Sequence, residues 1–270
     1  MTVALALICS DGVLVASDSM ASNGPVASTA VKVRRLMQPI VWTASGSVFV
    51  IEEAAQQLAN LETQIGQNPQ AQSAFDQPDL AAIRQYIADC LKQTMRQCYG
   101  SALLFGANQQ VNSNHPFITD FLVTGYTLAT PYLLEIAHDG QVNWHTDEAF
   151  YAIGSGGAFA AVAQGLMKHY LDGGPLPLQY GMQLAYRTIE TACEVSSMWV
   201  RTPVQLAIVD KDGPRVLDHA EIEQLKDEVT GWKQLERDAL WRKVSDVTAE
   251  ELETPPSFIQ PPDDEARSGE

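Results

Sequence analysis

Two apolar runs, residues 2–9 (TVALALIC) and 13–17 (VLVAS), are joined by Ser10-Asp11-Gly12, and an Asp-Gly pair between such runs predicts a β-hairpin. The hairpin commits the start of the chain to a sheet. It also returns Asp18 to within a few residues of the position opposite Thr2. The elements that follow come in blocks. Residues 32–36 and 40–44 predict a second strand pair closed by Ser45-Gly46-Ser47, and then Val50, Ala54, Ala55, Leu58 and Leu61 recur at helical spacing. Residues 64–79, rich in Gln, Asn, Ser and Pro, predict a surface loop before a second helix over 80–98.

Strand patterns return at 117–126, 132–136 and 141–144, with a turn at His138-Asp139-Gly140. Gly154-Ser155-Gly156-Gly157 opens an alanine-rich helical stretch to about residue 170, and another helix is expected over 178–194. A last hairpin is signalled by 204–209, the turn 210–213, and 215–217. Strands, two helices, strands, two helices, strands is a segregated order. It predicts α+β layers, with two sheets sandwiched between helix pairs.

The 270 residues, 46% of them hydrophobic, can bury a sizeable core. One domain is expected over 1–218. Residues 219–243 should form a charged helix with Ile222, Leu225, Val229, Trp232 and Leu235 on one side. Residues 244–270, acidic and Pro-containing, should be disordered. A formal charge of −16, from 33 acidic against 17 basic side chains, repels a phosphate backbone and argues against nucleic-acid binding. Cys9, Cys90, Cys98 and Cys193 have no metal-ligand or CxxC spacing, and are expected to be buried thiols of a reduced compartment. No apolar run reaches membrane-spanning length, and residues 3–9 lack the flank of a signal peptide; a cytoplasmic location is expected.

The chemistry is concentrated near the start. Once Met1 is removed, Thr2 carries a hydroxyl nucleophile and its own α-amine, whose ordinary pKa of about 7.7–8.0 suits a general base near neutral pH. Lys32 could supply the positive charge that lowers the hydroxyl pKa, with Asp18 holding the ammonium. Taken singly, Lys32 is better read as a solvated charge beside Arg34 and Arg35.

Together these segments resemble the proteasome β-subunit family, including the bacterial HslV-type peptidases. The hairpin TVALALICSDGVLVASDS is similar to the family's threonine-plus-strand start with its Ala-x-Asp ending, and KVRRL is similar to the HslV-type segment whose lysine is catalytic. The resemblance covers about residues 2–218. It implies a four-layer αββα sandwich of the amino-terminal-nucleophile hydrolase type. It assigns the nucleophile to Thr2, its support to Asp18 and Lys32, the oxyanion-hole amide to Gly46, and a supporting serine to Ser155 in AIGSGGAFA. The family's Asp-x-x-Ser-Gly-Gly segment is replaced by ACEVSSMWVRTPVQLAIV, where Ser197 or Ser196 substitutes in part and Glu194 offers a carboxylate.

The resemblance also implies a primary specificity pocket at Ala21, Ala30, Ala44 and Val48, with Glu52 near its floor. The resemblance implies a threonine endopeptidase acting on peptides or unfolded proteins, without metal or organic cofactor, in homo-oligomeric stacked rings, and it admits an ATP-driven unfoldase partner. No propeptide is expected ahead of Thr2, so activation should need only removal of Met1. Set together, the features favour a divergent bacterial proteasome homologue. Two competitors share the fold: a small-molecule amidase, and a non-catalytic ring or scaffold subunit.

Overall fold

The computed structural model describes residues 2–23, 26–37, 39–76, 80–105, 118–127, 130–145, 149–154, 174–195 and 200–246. It divides into two compact units, Met1–Asp227 and Glu228–Glu270. The alanine-rich stretch to about 170, the candidate serines at 155, 196 and 197, and the acidic tail from 247 onward lie outside the described residues.

The Asp-Gly hairpin forms as β1 (Ala4–Ile8) and β2 (Val13–Ser17), paired Ala4 with Ser17 through Ile8 with Val13. Next come a small hairpin, β3 (Met20–Asn23) with β4 (Val26–Thr29), then β5 (Val33–Arg35) and β6 (Ile40–Gly46). The helical block comprises α1 (Val48–Gln67), α2 (Pro69–Asp76), α3 (Leu80–Ile83), a π-helical turn over Arg84–Ala88, and α4 (Asp89–Phe105). Strands β7 (Thr119–Thr127), β8 (Thr130–Ile136), β9 (Val142–Trp144) and β10 (Phe150–Ile153) precede α5 (Leu178–Val195). The chain then forms β11 (Gln205–Asp210), β12 (Gly213–Val216) and α6 (His219–Asp246).

The strands assemble into two antiparallel five-stranded sheets, β10-β1-β2-β11-β12 and β5-β6-β7-β8-β9. Period-2 alternation sorts their side chains into three buried layers. Between the sheets, Ala4, Ala6, Val13, Val15, Ala207 and Val209 of the first face Val33, Val41, Leu122 and Leu133 of the second. On the outer face of the second sheet, Ile40, Trp42, Phe121, Val123 and Leu134 pack with Ile51, Leu58, Ile87, Leu91 and Met95 of the helical block. On the outer face of the first, α5 lies over β1 and β2. Helix, sheet, sheet, helix is the predicted four-layer αββα order.

A polar clasp closes one side of the sandwich. Glu135 of β8 accepts hydrogen bonds from Asn143 at 3.0 Å and from the Tyr151 hydroxyl of β10 at 3.2 Å, while His145 stacks on Tyr151 at 3.6 Å.

Three sequence expectations need correction. The predicted loop over 64–79 is largely helical: α1 continues to Gln67, and Asn68 caps α2 by accepting the Gln70 and Ala71 amides at 3.1 and 3.3 Å ahead of Pro69 at the first helical position. Burial of Ile65 and Ala71 in the core overrides the polar composition. The second helix extends past residue 98 to Phe105 and carries the π turn. Strands β3, β4 and β10 escaped notice because Met20–Asn23 and Val26–Thr29 are small and polar, and Phe150–Ile153 is short.

Helix α6 begins in a capping box that the sequence did not announce as such. Asp218 Oδ1 accepts the Glu221 amide, and Glu221 Oε2 accepts the Asp218 amide, each at 2.9 Å. All four cysteines are free; Cys9, Cys98 and Cys193 are buried and Cys90 is partly so. Among the described residues no helix is long and apolar enough to cross a membrane.

The close seating of α5 rests on Gly181, where a Cβ would lie 2.4 Å from Cys9 Sγ and 3.1 Å from Leu7. Gly66 of α1 has nothing within 4 Å of that position. The same substitution should therefore act in opposite directions. Gly66→Ala is expected to stabilise by up to about 1 kcal/mol through helix propensity, and Gly181→Ala to destabilise by about 1–3 kcal/mol through overpacking. Urea unfolding of both variants checks this, and a gain in Gly181→Ala would contradict the packing described.

Candidate active site

The β1–β2 ladder, continued past its ends, sets the start of the chain beside Asp18. The Asp18 amide donates to Val3 O at 3.2 Å, and Asp18 Oδ1 accepts the Val3 amide at 3.1 Å. Oδ2 accepts the Met20 amide at 2.9 Å, so the carboxylate is held by backbone on both sides. Ser17 adds a bond from its hydroxyl to Val3 O at 3.0 Å. The remaining partner is Lys32, whose Nζ lies 2.9 Å from Asp18 Oδ1 and donates at the same 2.9 Å to Thr2 Oγ1.

Thr2, Asp18 and Lys32 are thus one connected cluster, and their exposures of 5%, 0% and 2% place it in the interior. The solvated-charge reading of Lys32 is excluded. Its neighbours in the KVRRL run differ: Arg34 is half-buried, lies 5.9 Å over the Trp42 ring and pairs with Glu52, and Arg35 is exposed. Burial pulls the Lys32 pKa below its ordinary 10.5, against the opposing pull of the Asp18 carboxylate. In its ammonium form, a lysine so placed donates a hydrogen bond to the neighbouring hydroxyl that favours the ionised oxygen.

A thiol lies within electrostatic reach of the cluster. Cys193 on α5 feels both Asp18 and Lys32, but burial, reinforced by Asp18, pushes its thiol up to about 12. The thiol therefore stays protonated at neutral pH.

Gly46 ends β6, exposed, with a φ of +135°. Ser45, immediately before it, is buried next to Gly154. A Cβ on Gly154, where φ is +109°, would fall 2.1 Å from Thr2 O and 2.7 Å from Ser45 Oγ. Only glycine lets the end of β10 approach Thr2 this closely.

Of the pocket positions, Ala21 is buried on β3, Ala30 is half-buried just after β4, and Val48 is half-buried at the first position of α1. Ala44 is fully buried in the core between the second sheet and the helical block. Beside Val48, a cavity of about 420 Å³ is lined by Arg34, Phe49, Glu52, Glu53, Ala55 and Gln56. Glu194 is exposed near the end of α5. Ser155, Ser196 and Ser197 fall outside the described residues. Ser17, Ser45 and Gln205 were missed from sequence, the last despite being a lone amide in the apolar run 204–209; it bonds to the backbone of residues 30–33. Among the described residues no group of His, Cys, Asp or Glu could hold a metal ion.

The fold defines the class as an αββα sandwich of the amino-terminal-nucleophile hydrolase type. It is shared with an Anbu (Gly-1) mutant from Hyphomicrobium sp. strain MC1, at a TM-score of 0.63 and 17% identity over 92% of this chain and 98% of that one. It is shared too with Anbu (ancestral beta-subunit) from Yersinia bercovieri, at 0.62 and 17% over 91% and 97%. In sequence, the chain is similar to the proteasome subunit beta of Methanocaldococcus fervens, 25% identical over 231 residues, covering 85% of this chain and 90% of its relative. The Methanocaldococcus jannaschii subunit is likewise 25% identical over 233 residues, 84% and 89% of the two chains. No protein-family model matches. The likeness is to proteasome-type beta subunits as a group and does not single out the HslV type.

The buried ion pair gives a test with a definite sign. Because the folded pKa of Lys32 lies below its unfolded value of 10.5, the unfolded chain binds more protons between those two values, and stability rises with pH across that window. Below the folded pKa the penalty is fully present. Lys32→Met should abolish that rise and, by leaving Asp18 buried without its cation, cost about 3–5 kcal/mol at neutral pH. Chemical denaturation of both chains from pH 7 to 10.5 measures it; parallel curves would contradict the burial of the lysine.

Proposed function

We propose that this chain is a threonine-type peptidase subunit of a proteasome-like assembly, with Thr2 as nucleophile after removal of Met1. The observation that carries the reading is the buried Lys32 ammonium bonded at once to Thr2 Oγ1 and Asp18 Oδ1. In the proposed reaction Thr2 Oγ attacks the peptide carbonyl carbon and its proton passes to the α-amine that methionine removal creates. Lys32 stabilises the oxygen as it loses that proton, and Asp18 keeps the ammonium charged and aimed. The oxyanion is assigned to the Gly46 N–H; a single such donor supports about 2.7–4 kcal/mol of transition-state stabilisation in comparable sites. The amine then returns the proton to the leaving amino group, and water hydrolyses the ester on Thr2.

Ser155 and Ser197 are proposed as supporting hydroxyls. Stacked homo-oligomeric rings, unfolded-protein substrates and a cytoplasmic location are part of the same proposal, supported by the likeness to proteasome beta subunits. An ATP-driven unfoldase would fit such an assembly.

For specificity, Ala21, Ala30 and Val48 are proposed as pocket walls; Ala44, fully buried in the core beneath the helical block, is not among them. Small apolar walls favour a large apolar side chain, at about 25 cal/mol per Å² removed from water. Glu52 is already engaged by Arg34, so a basic substrate side chain would have to displace an existing partner.

Thr2→Ala should abolish turnover while leaving assembly intact, and an epoxyketone or boronate should modify only the wild type. Mass spectrometry of the amino terminus should find Met1 absent in active protein; turnover by Thr2→Ala, or by protein retaining Met1, would sink the reading. On a fluorogenic panel varied only before the scissile bond, Leu, Phe and Tyr substrates should outrun both acidic and basic ones. Faster cleavage after Asp or Glu would overturn the pocket assignment alone.

A further inference from the structure

Gln205 opens β11, inside the segment that departs from the family pattern. Its side-chain amide makes three hydrogen bonds to one short piece of backbone. Oε1 accepts the Lys32 amide at 2.9 Å and the Val33 amide at 3.3 Å, and Nε2 donates to Ala30 O at 2.6 Å. Residues 30–32 lie between β4 and β5 and belong to neither strand. A side chain from the first sheet thus serves backbone groups that a ladder would otherwise satisfy.

The ladder fixes Gln205 in turn. It stands opposite Ser17 of β2, the residue before Asp18, so β2 and β11 carry Asp18 and the Gln205 amide on one rigid frame. The Lys32 side chain, by contrast, reaches its two acceptors through a long flexible stem. Its ammonium meets both at 2.9 Å only if the Lys32 backbone is registered against the frame that holds Asp18. Two amide donors and one carbonyl acceptor call for a side chain that accepts and donates in one plane, which a primary amide does and a carboxylate does not.

We infer that Gln205 is a positioning residue: its amide clamps residues 30–33 to the first sheet and thereby aims the Lys32 ammonium at Thr2 Oγ1 and Asp18. The activity arm of this inference rests on the peptidase reading, and the titration arm does not.

The test uses the full chain, with lysines labelled at Cε and the Lys32 signal assigned by its loss in Lys32→Met. In Gln205→Met the Lys32 titration should move up toward the ordinary 10.5 as the ammonium leaves its buried site. At the same time kcat on a fluorogenic peptide should fall on the order of a hundredfold with KM unchanged. Gln205→Glu supplies a readout that simple packing would not move. Its carboxylate can accept the two amides but faces the Ala30 carbonyl without a proton, and protonation restores the missing donor; its activity relative to wild type should therefore recover as pH falls.

A folded Gln205→Met with wild-type kcat and wild-type Lys32 titration overturns the inference. If that variant does not fold, a Gln205→Glu ratio that is flat with pH overturns it. A shifted Lys32 titration in a chain whose wild type hydrolyses no peptide upholds the clamp and sinks the peptidase reading instead.

Discussion

The ion pair between Lys32 and Asp18 is buried, at side-chain exposures of 2% and 0%, and the surrounding elements are disposed to hold it. Two charges taken out of water lose several kcal/mol each, and their attraction offsets that loss only where the remaining donors and acceptors are also met. Asp18 meets the requirement with the amides of Val3 and Met20, and Lys32 with the Thr2 hydroxyl. Three stretches of chain therefore converge on one carboxylate: the start of the chain, the turn from β2 into β3, and the connection into β5. A misregistered hairpin would leave a buried charge unpaired, so the pair specifies the arrangement more than it stabilises it.

Close approach is the second constraint. The inter-sheet layer is built mainly from Ala and Val on the first sheet, with Ile153 at its edge strand, which leaves the larger Leu5, Leu7 and Leu14 for the face away from the second sheet. Glycine appears where close approach leaves no room for a Cβ: Gly154 against the Thr2 backbone and Ser45, and Gly181 against the Cys9 side chain. The site is consequently a seam between sheets, with Thr2 and Asp18 supplied by the first, Ser45 by the second, and Lys32 by the segment leading into the second. The electrostatics follow from that setting. Burial lowers the Lys32 pKa and raises that of Cys193, so the same lack of water that sharpens the lysine silences the nearby thiol.

Much of the fold was legible because its signals are local. The Asp-Gly turn, the alternation of 40–44 and the helical spacing of 50–61 each depend on residues within one element. The misreadings share a cause. Residues 64–79 look like a loop by composition, yet Asn68 and Pro69 cap a helix whose few apolar residues are drawn into the core. Residues 20–29 lack any alternation, and their pairing is a matter of chain reversal rather than of side-chain pattern.

For the site, the sequence by itself determined the residue types: a threonine behind Met1, an aspartate at the end of the returning strand, a lysine in a basic run, and a serine-glycine pair after a strand. It left Lys32, taken singly, better read as a solvated charge, because periodicity over residues 32–35 cannot say which of three cations turns inward. Tertiary structure decided that. Only the stacking of two sheets removes water from around Lys32 while leaving Arg35 exposed, and only the ladder between β2 and β11 brings Gln205, 173 positions away, against the Lys32 amide. Local propensity is written along the chain; which charge is desolvated, and by whom its backbone is held, depends on contacts between residues far apart in it.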